Sequence, residues 1–68
     1  MSWRHKPVAV GDRFARAGQS SRVYVVVALD INRPGLPPHA RLQVEDEPTE
    51  KVTIAIAALG DPTLYRRL

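Results

Sequence analysis

The sequence predicts a small all-β protein: a barrel or roll of about five short strands, with one 3₁₀ or helical turn before the last strand. Residues 22–29 are rich in valine and include an aromatic residue, a composition that favours a pleated strand over a helix. Residues 40–46 alternate apolar and polar side chains, the pattern of a half-buried strand. The chain has only 68 residues, enough for one domain.

The first two predicted strands lie in the first half of the chain. Residues 10–16 indicate a turn that leads into a strand, and residues 17–21 form a polar loop. In the next strand, Val23, Val25, Val27 and Leu29 share one face, while the other face is also apolar. The strand is therefore expected at the centre of the sheet with both faces covered.

The second half of the chain predicts three more strands. Pro34–Gly35 suits a type II turn, and the strand after it begins near His39. Residues 45–50 form an acidic turn. The β-branched residues after it predict a strand over 51–56, with a helix over 51–59 as the alternative because of its alanines. Asp61–Pro62 predicts one helical turn, and residues 64–68 a last strand. The predicted core comprises Phe14, Val23, Val25, Val27, Leu29, Leu42, Val44, Val52, Ile54 and Ile56.

The predicted domain covers residues 8–68 and follows a flexible, basic tail at residues 1–7. No apolar run approaches the roughly 20 residues of a membrane span, and no apolar segment follows the basic N-terminus as in a signal peptide. The chain has no cysteine, which fits a reducing compartment. We expect a cytoplasmic protein that does not contact membranes.

Two pairs of segments carry a resemblance to known proteins. Residues 11–14, Gly-Asp-Arg-Phe, open the first predicted strand, and residues 59–62, Leu-Gly-Asp-Pro, precede the last one. Their sequences and positions resemble the layout of SH3-like barrels. Residues 37–42 and 64–68 look like segments of a group of short uncharacterised bacterial proteins. The resemblance covers most of the chain from Gly11 onward and implies an SH3-like barrel without implying an activity. SH3-like peptide binders present an aromatic-lined groove, for which this chain has few aromatic residues.

The distribution of charge suggests a candidate binding surface. The net charge is +3, with cations concentrated near both ends and acids in residues 45–50. If the first and last strands are neighbours, their arginines form a basic face that could contact phosphates, with an aromatic ring stacking on bases. The candidate residues are Trp3, Arg13, Arg16, Tyr65, Arg66 and Arg67. The alternative is that these charges only keep the domain soluble.

Catalytic and metal-binding constellations are not indicated. His5 and His39 are the only histidines, and their spacing matches no known metal-ligand pattern. Ser20 and Ser21 have no histidine and acid in a triad-like arrangement. The sequence therefore predicts no enzyme activity, no metal and no cofactor.

The small core suggests how such a chain is stabilised. A domain of this length usually needs a disulfide, a metal or a partner chain, and the first two are not indicated here. We expect a non-catalytic protein-interaction module that forms a homodimer by edge-strand pairing or by strand exchange at residues 34–38. It could also contact an unidentified protein partner. The alternative function is a small basic nucleic-acid-binding protein.

Overall fold

The computed structural model describes residues 7–18 and 22–68 and contains one five-stranded antiparallel sheet. A single turn of helix, α1, precedes the last strand. The elements in chain order are β1 (Arg13–Arg16), β2 (Tyr24–Asp30), β3 (His39–Val44), β4 (Glu47–Ala55), α1 (Ile56–Leu59) and β5 (Tyr65–Arg67).

The order of strands in the sheet is β4-β3-β2-β1-β5. The first four strands follow one another as a meander, and the chain then returns through α1 to place β5 beside β1. β2 is the middle strand, as the sequence predicts. The sheet does not close between β4 and β5, so the architecture is an open roll.

Residues that face each other across antiparallel strands share a face of the sheet, and successive residues alternate between faces. One face, here the core face, carries the cluster of buried side chains, and Leu59 of α1 covers part of it. The opposite, outer face carries residues such as Val25, Arg41 and Gln43. The buried cluster consists of Phe14, Tyr24, Val26, Ala40, Leu42, Val44 and Leu59.

The predicted facing of β2 is wrong from its start to Val27. Val26 is 1% exposed and Tyr24 is also buried, whereas Val25 is half-buried on the outer face and Val27 is 41% exposed. Tyr24 lies opposite both Phe14 of β1 and Val44 of β3, and these neighbours fix its side of the sheet. Within the single chain, the outer face of β2 is therefore not covered as predicted.

An irregularity in the register between Val26 and Ala28 changes which side chains of β2 face the core. Beyond it, Leu29 lies opposite Ala40 and packs against the buried cluster. The half-buried Val23 is not part of that cluster. The uniform alternation predicted from Val23 is therefore wrong before the irregularity, where Tyr24 and Val26 face the core, and right beyond it for Leu29.

β4 is longer than predicted, and it ends one residue earlier. The turn after β3 contains only residues 45–46, so β4 begins at Glu47, inside the predicted acidic turn 45–50. Ile56 begins α1 instead of ending the strand, so the helical alternative is correct only for this last part. Val52, Ile54 and Ile56 are half-buried and pack against the cluster from its border.

The predicted turn at Pro34–Gly35 is confirmed, and the predicted last strand is one residue shorter at each end. The Leu36 N–H donates to the Arg33 carbonyl, and Gly35 has a φ of 77°, as a type II turn requires. The Asp61 carbonyl accepts hydrogen bonds from the N–H groups of Leu64 and Tyr65, which closes a turn between α1 and β5. The helix itself, α1, lies just before the predicted Asp61–Pro62 position.

In the described part of the chain, no helix has the length and apolar character needed to cross a bilayer. Residues 1–6 of the predicted tail lie outside the described residues.

Candidate interaction surface

The structure brings together the two strands that carry the predicted basic residues. β1 and β5 pair in antiparallel orientation, with Phe14 opposite Arg67, Ala15 opposite Arg66, and Arg16 opposite Tyr65. The polar N–H and C=O groups of the flanking residues extend this ladder: the Ala17 N–H donates to the Leu64 carbonyl at 2.9 Å. The expectation that the first and last strands are neighbours is therefore confirmed.

The pairing distributes these residues over both faces of the sheet. Arg16, Tyr65 and Arg67 have the same parity as the buried Phe14 and belong to the core-face side at the border of the sheet. Arg13 and Arg66 belong to the outer face. The five described candidates do not form one continuous basic face, and Trp3 lies outside the described residues.

Arg67 has an intramolecular role. Its Nη1 donates to Asp12 Oδ2 at 2.9 Å, and its guanidinium carbon lies 5.3 Å from the centroid of the Phe14 ring. Both ionic side chains are partly shielded, with 34% and 22% of their surface exposed. A cation above an aromatic face with a carboxylate partner is held in place by both. Arg67 therefore fastens β5 to β1.

Asp12 connects this contact to the chain before β1. Its Oδ2 also accepts the Ala9 N–H at 2.9 Å, and its own N–H donates to the Ala9 carbonyl. One carboxylate thus closes the turn at residues 9–12 and binds Arg67 from the opposite end of the sequence. The long-range part of this role has no pattern in the sequence, because residues 12 and 67 meet only after the sheet has formed.

The acidic segment pairs with arginines of the same chain. Arg13 donates through Nε and Nη2 to the two oxygens of Glu45, at 2.9 and 3.0 Å. This hydrogen bond and the charge of Glu45 raise the pKa of the Arg13 guanidinium. Arg22 contacts Glu50 and lies 3.8 Å from Glu47. These acids are therefore already neutralised in part within one chain.

Hydrogen bonds from Thr63 change the pKa of the Asp61 carboxyl. Its Oδ1 accepts hydrogen bonds from the hydroxyl of Thr63 at 2.7 Å and from the Thr63 backbone N–H at 2.9 Å. Both bonds lower the pKa of the Asp61 carboxyl, and the bond from the Thr63 hydroxyl has the larger effect. Through these bonds the Asp61 carboxylate stabilises the turn between α1 and β5.

Four cations have no ion-pair partner among the described residues, which include every Asp and Glu of the sequence. Three of them, Arg41, Lys51 and Arg66, project from the outer face. Lys51 lies opposite Gln43, which places it diagonally next to Arg41 on that face. The fourth is Arg16. Arg41 and Lys51 were not among the sequence-predicted site residues, because only the strand register places them together.

Potential metal ligands and one surface depression can be located in the described residues. No cluster of potential metal ligands occurs in residues 7–18 and 22–68. The Nδ1 of His39 lies 2.7 Å from the carbonyl oxygen of Pro37, as expected for a histidine that stabilises the adjacent turn. An open depression is lined by Ala28, Leu29, Asp30, Arg33 and Arg41, and Asp30 and Arg33 form an ion pair at 3.6 Å.

The two borders of the open sheet differ in length and in sequence. β5 has three residues, two of them arginines, whereas β4 has nine. An unpaired edge strand presents backbone N–H and C=O groups that can pair with another strand. The long border at β4 is therefore the most extensive set of unsatisfied backbone groups in the described sheet.

No family model, no curated protein and no solved structure matches this chain.

Proposed function

We propose that this protein is a non-catalytic interaction module that self-associates as a homodimer in the cytoplasm. The observation that carries the proposal is the open roll: the sheet stops at β4, beside a cluster of seven buried residues. So small a core gives a marginal stability, and an edge strand that pairs with a second copy adds hydrogen bonds and apolar contacts.

The fold within this proposal is an SH3-like small barrel. The strand order, with β5 returning beside β1 after a helical turn, supports the likeness that residues 11–14 and 59–62 suggest. An aromatic groove for proline-rich ligands is not supported, since Phe14 and Tyr24 are buried in the core. The interaction that we propose uses the backbone of the sheet edge.

Light scattering coupled to size-exclusion chromatography tests the homodimer over a wide range of protein concentrations. We expect a mass of twice the 7.6 kDa of one chain, with dissociation on dilution. A folded species that keeps the mass of one chain at every concentration would refute the proposal. A dimer that forms only after unfolding and refolding would indicate strand exchange through residues 34–38 in place of edge pairing.

A second candidate function is nucleic-acid binding. It is favoured by the three cations Arg41, Lys51 and Arg66 on the outer face, which have no acidic partner in the described residues. The predicted role of Arg13 and Arg67 in such binding has less support, because their guanidinium groups contact Glu45 and Asp12.

A further inference from the structure

We infer that residues 51–55 of β4 are the surface on which two copies pair, antiparallel, with Thr53 of one copy opposite Thr53 of the other. This inference rests on the proposed self-association and specifies its site and register. Three observations carry it: the direction of the backbone groups in β4, the position of its protecting features, and the sequence of the segment.

The direction of the backbone groups follows from the bond that ends β4. The Ile56 N–H donates to the Pro38 carbonyl at 3.0 Å, toward β3. Since successive residues of a strand direct their backbone groups to alternate edges, Val52 and Ile54 also face β3. Lys51, Thr53 and Ala55 therefore direct their N–H and C=O groups to the open edge.

The features that protect an edge strand lie in the first half of β4. Pro48 cannot donate a hydrogen bond, and the register against β3 is irregular in this part, between the pairs of Gln43 and Val44. Glu47 and Glu50 add charges there, both close to Arg22. The second half of the strand, residues 52–55, contains neither a charge nor a proline. Only this half is suited to pair with another strand.

The sequence of this half is self-complementary. A two-fold axis normal to the sheet keeps the core faces of both copies on one side. With Thr53 on the axis, Val52 faces Ile54 of the other copy, and this apolar pair occurs twice. Both residues border the buried cluster, so the pairing joins the two cores.

Charge discriminates between neighbouring registers. A register centred on Lys51 sets two ammonium groups opposite each other, and one centred on Val52 sets Glu50 against Ile54. With Thr53 on the axis, Lys51 lies opposite Ala55, and the two lysines are about 14 Å apart along the strands, at roughly 3.4 Å per residue. Of these three registers, the one centred on Thr53 combines β-branched pairs with separated charges.

A cysteine placed at the axis tests the register directly, because the chain has no cysteine of its own. Opposite residues of a hydrogen-bonded antiparallel pair have Cα atoms about 5.5 Å apart, which lies within the range for a disulfide. We expect Thr53→Cys to form a covalent dimer rapidly under mild oxidation. Thr49→Cys is the matched control: it is an exposed threonine in the same strand, and in this register two copies of it lie far apart.

Two further variants test the role of the backbone and of the axis. Thr53→Pro removes an N–H that faces the open edge, and Thr53→Lys places like charges on the axis. We expect either change to raise the dissociation constant at least about tenfold, with the effect of Thr53→Lys weakened by salt. Thr53→Val, which keeps the N–H and the β-branched shape, should leave the dissociation constant nearly unchanged.

The outcomes separate this inference from the proposed function. Circular dichroism identifies any variant that fails to fold, and Thr53→Cys and Thr53→Lys keep the test decisive if Thr53→Pro is such a variant. A wild-type dimer that survives Thr53→Lys and gives no preferential cross-link at Thr53→Cys would overturn the β4 site and leave self-association standing. Preferential cross-linking of Thr49→Cys would overturn the register. A monomeric wild-type protein would overturn both proposals.

Discussion

At the scale of single residues, the side chains of β2 show how neighbours decide burial. Val25 and Val26 have the same chemistry and adjacent positions, yet only Val26 is buried in the cluster. Val26 lies opposite Leu42 on the core face, whereas Val25 lies opposite Gln43 and Arg13 on the outer face. The difference comes from the strands on either side of β2.

Substitution of these two valines tests the assignment of the core face. We expect Val26→Asp to lower the free energy of unfolding by about 3 kcal/mol or more, enough to unfold a marginal domain, because it buries an unpaired carboxylate. Val25→Asp is the control and should leave the protein folded, since its half-exposed site lets the carboxylate contact water. Urea denaturation followed by circular dichroism measures both. If Val25→Asp is the more damaging change, the facing of β2 is misassigned.

At the scale of elements, the turn before β1 shows how a local backbone conformation affects the start of the pairing between β1 and β2. The Gly11 N–H donates to the Val26 carbonyl at 2.8 Å, and the Val26 N–H donates to the Asp12 carbonyl at 2.9 Å. Two residues just before β1 thus oppose one residue of β2, which is the arrangement of a β-bulge. Gly11 has a φ of 96°, a backbone angle that residues with a Cβ atom rarely adopt.

Alanine substitution of two glycines separates backbone conformation from crowding. We expect Gly11→Ala to destabilise the fold by about 1 kcal/mol, because a Cβ there has free space but the φ angle is unfavourable. Gly60→Ala is the control: its φ is −82°, and its nearest contact is at an ordinary 3.7 Å. It should be neutral or slightly stabilising. Thermal and urea denaturation report both changes, and equal effects at the two positions would contradict this explanation.

At the scale of the whole molecule, ion pairing within the chain reduces the charge that is available to a ligand. The described residues contain eight lysines and arginines, and four of them form ion pairs. The intramolecular pairs of residues 45–50 also leave less charge for head-to-tail contacts between copies. The proposed association instead uses residues 51–55 of β4, in which Lys51 is the one charged residue.

The same count of charges predicts the outcome of a titration with a fluorescent oligonucleotide. We expect weak association at low salt that disappears at moderate salt, because three outer-face cations release few counterions. Saturable binding that persists at moderate salt, and that weakens in Arg41→Ala or Arg66→Ala, would favour the nucleic-acid function over the proposed one.

The sequence alone determined the class of the fold, the number of strands and the main turns. These depend on local chemistry: the β-branched valines at residues 25–27 favour a strand, and Pro34–Gly35 fits its turn whatever lies nearby. The face of β2 that is buried, the role of Asp12 and the grouping of Arg41 with Lys51 depend on strand register. Register joins residues distant in sequence, and both faces of β2 are apolar enough to be buried. Only the tertiary structure decides between them.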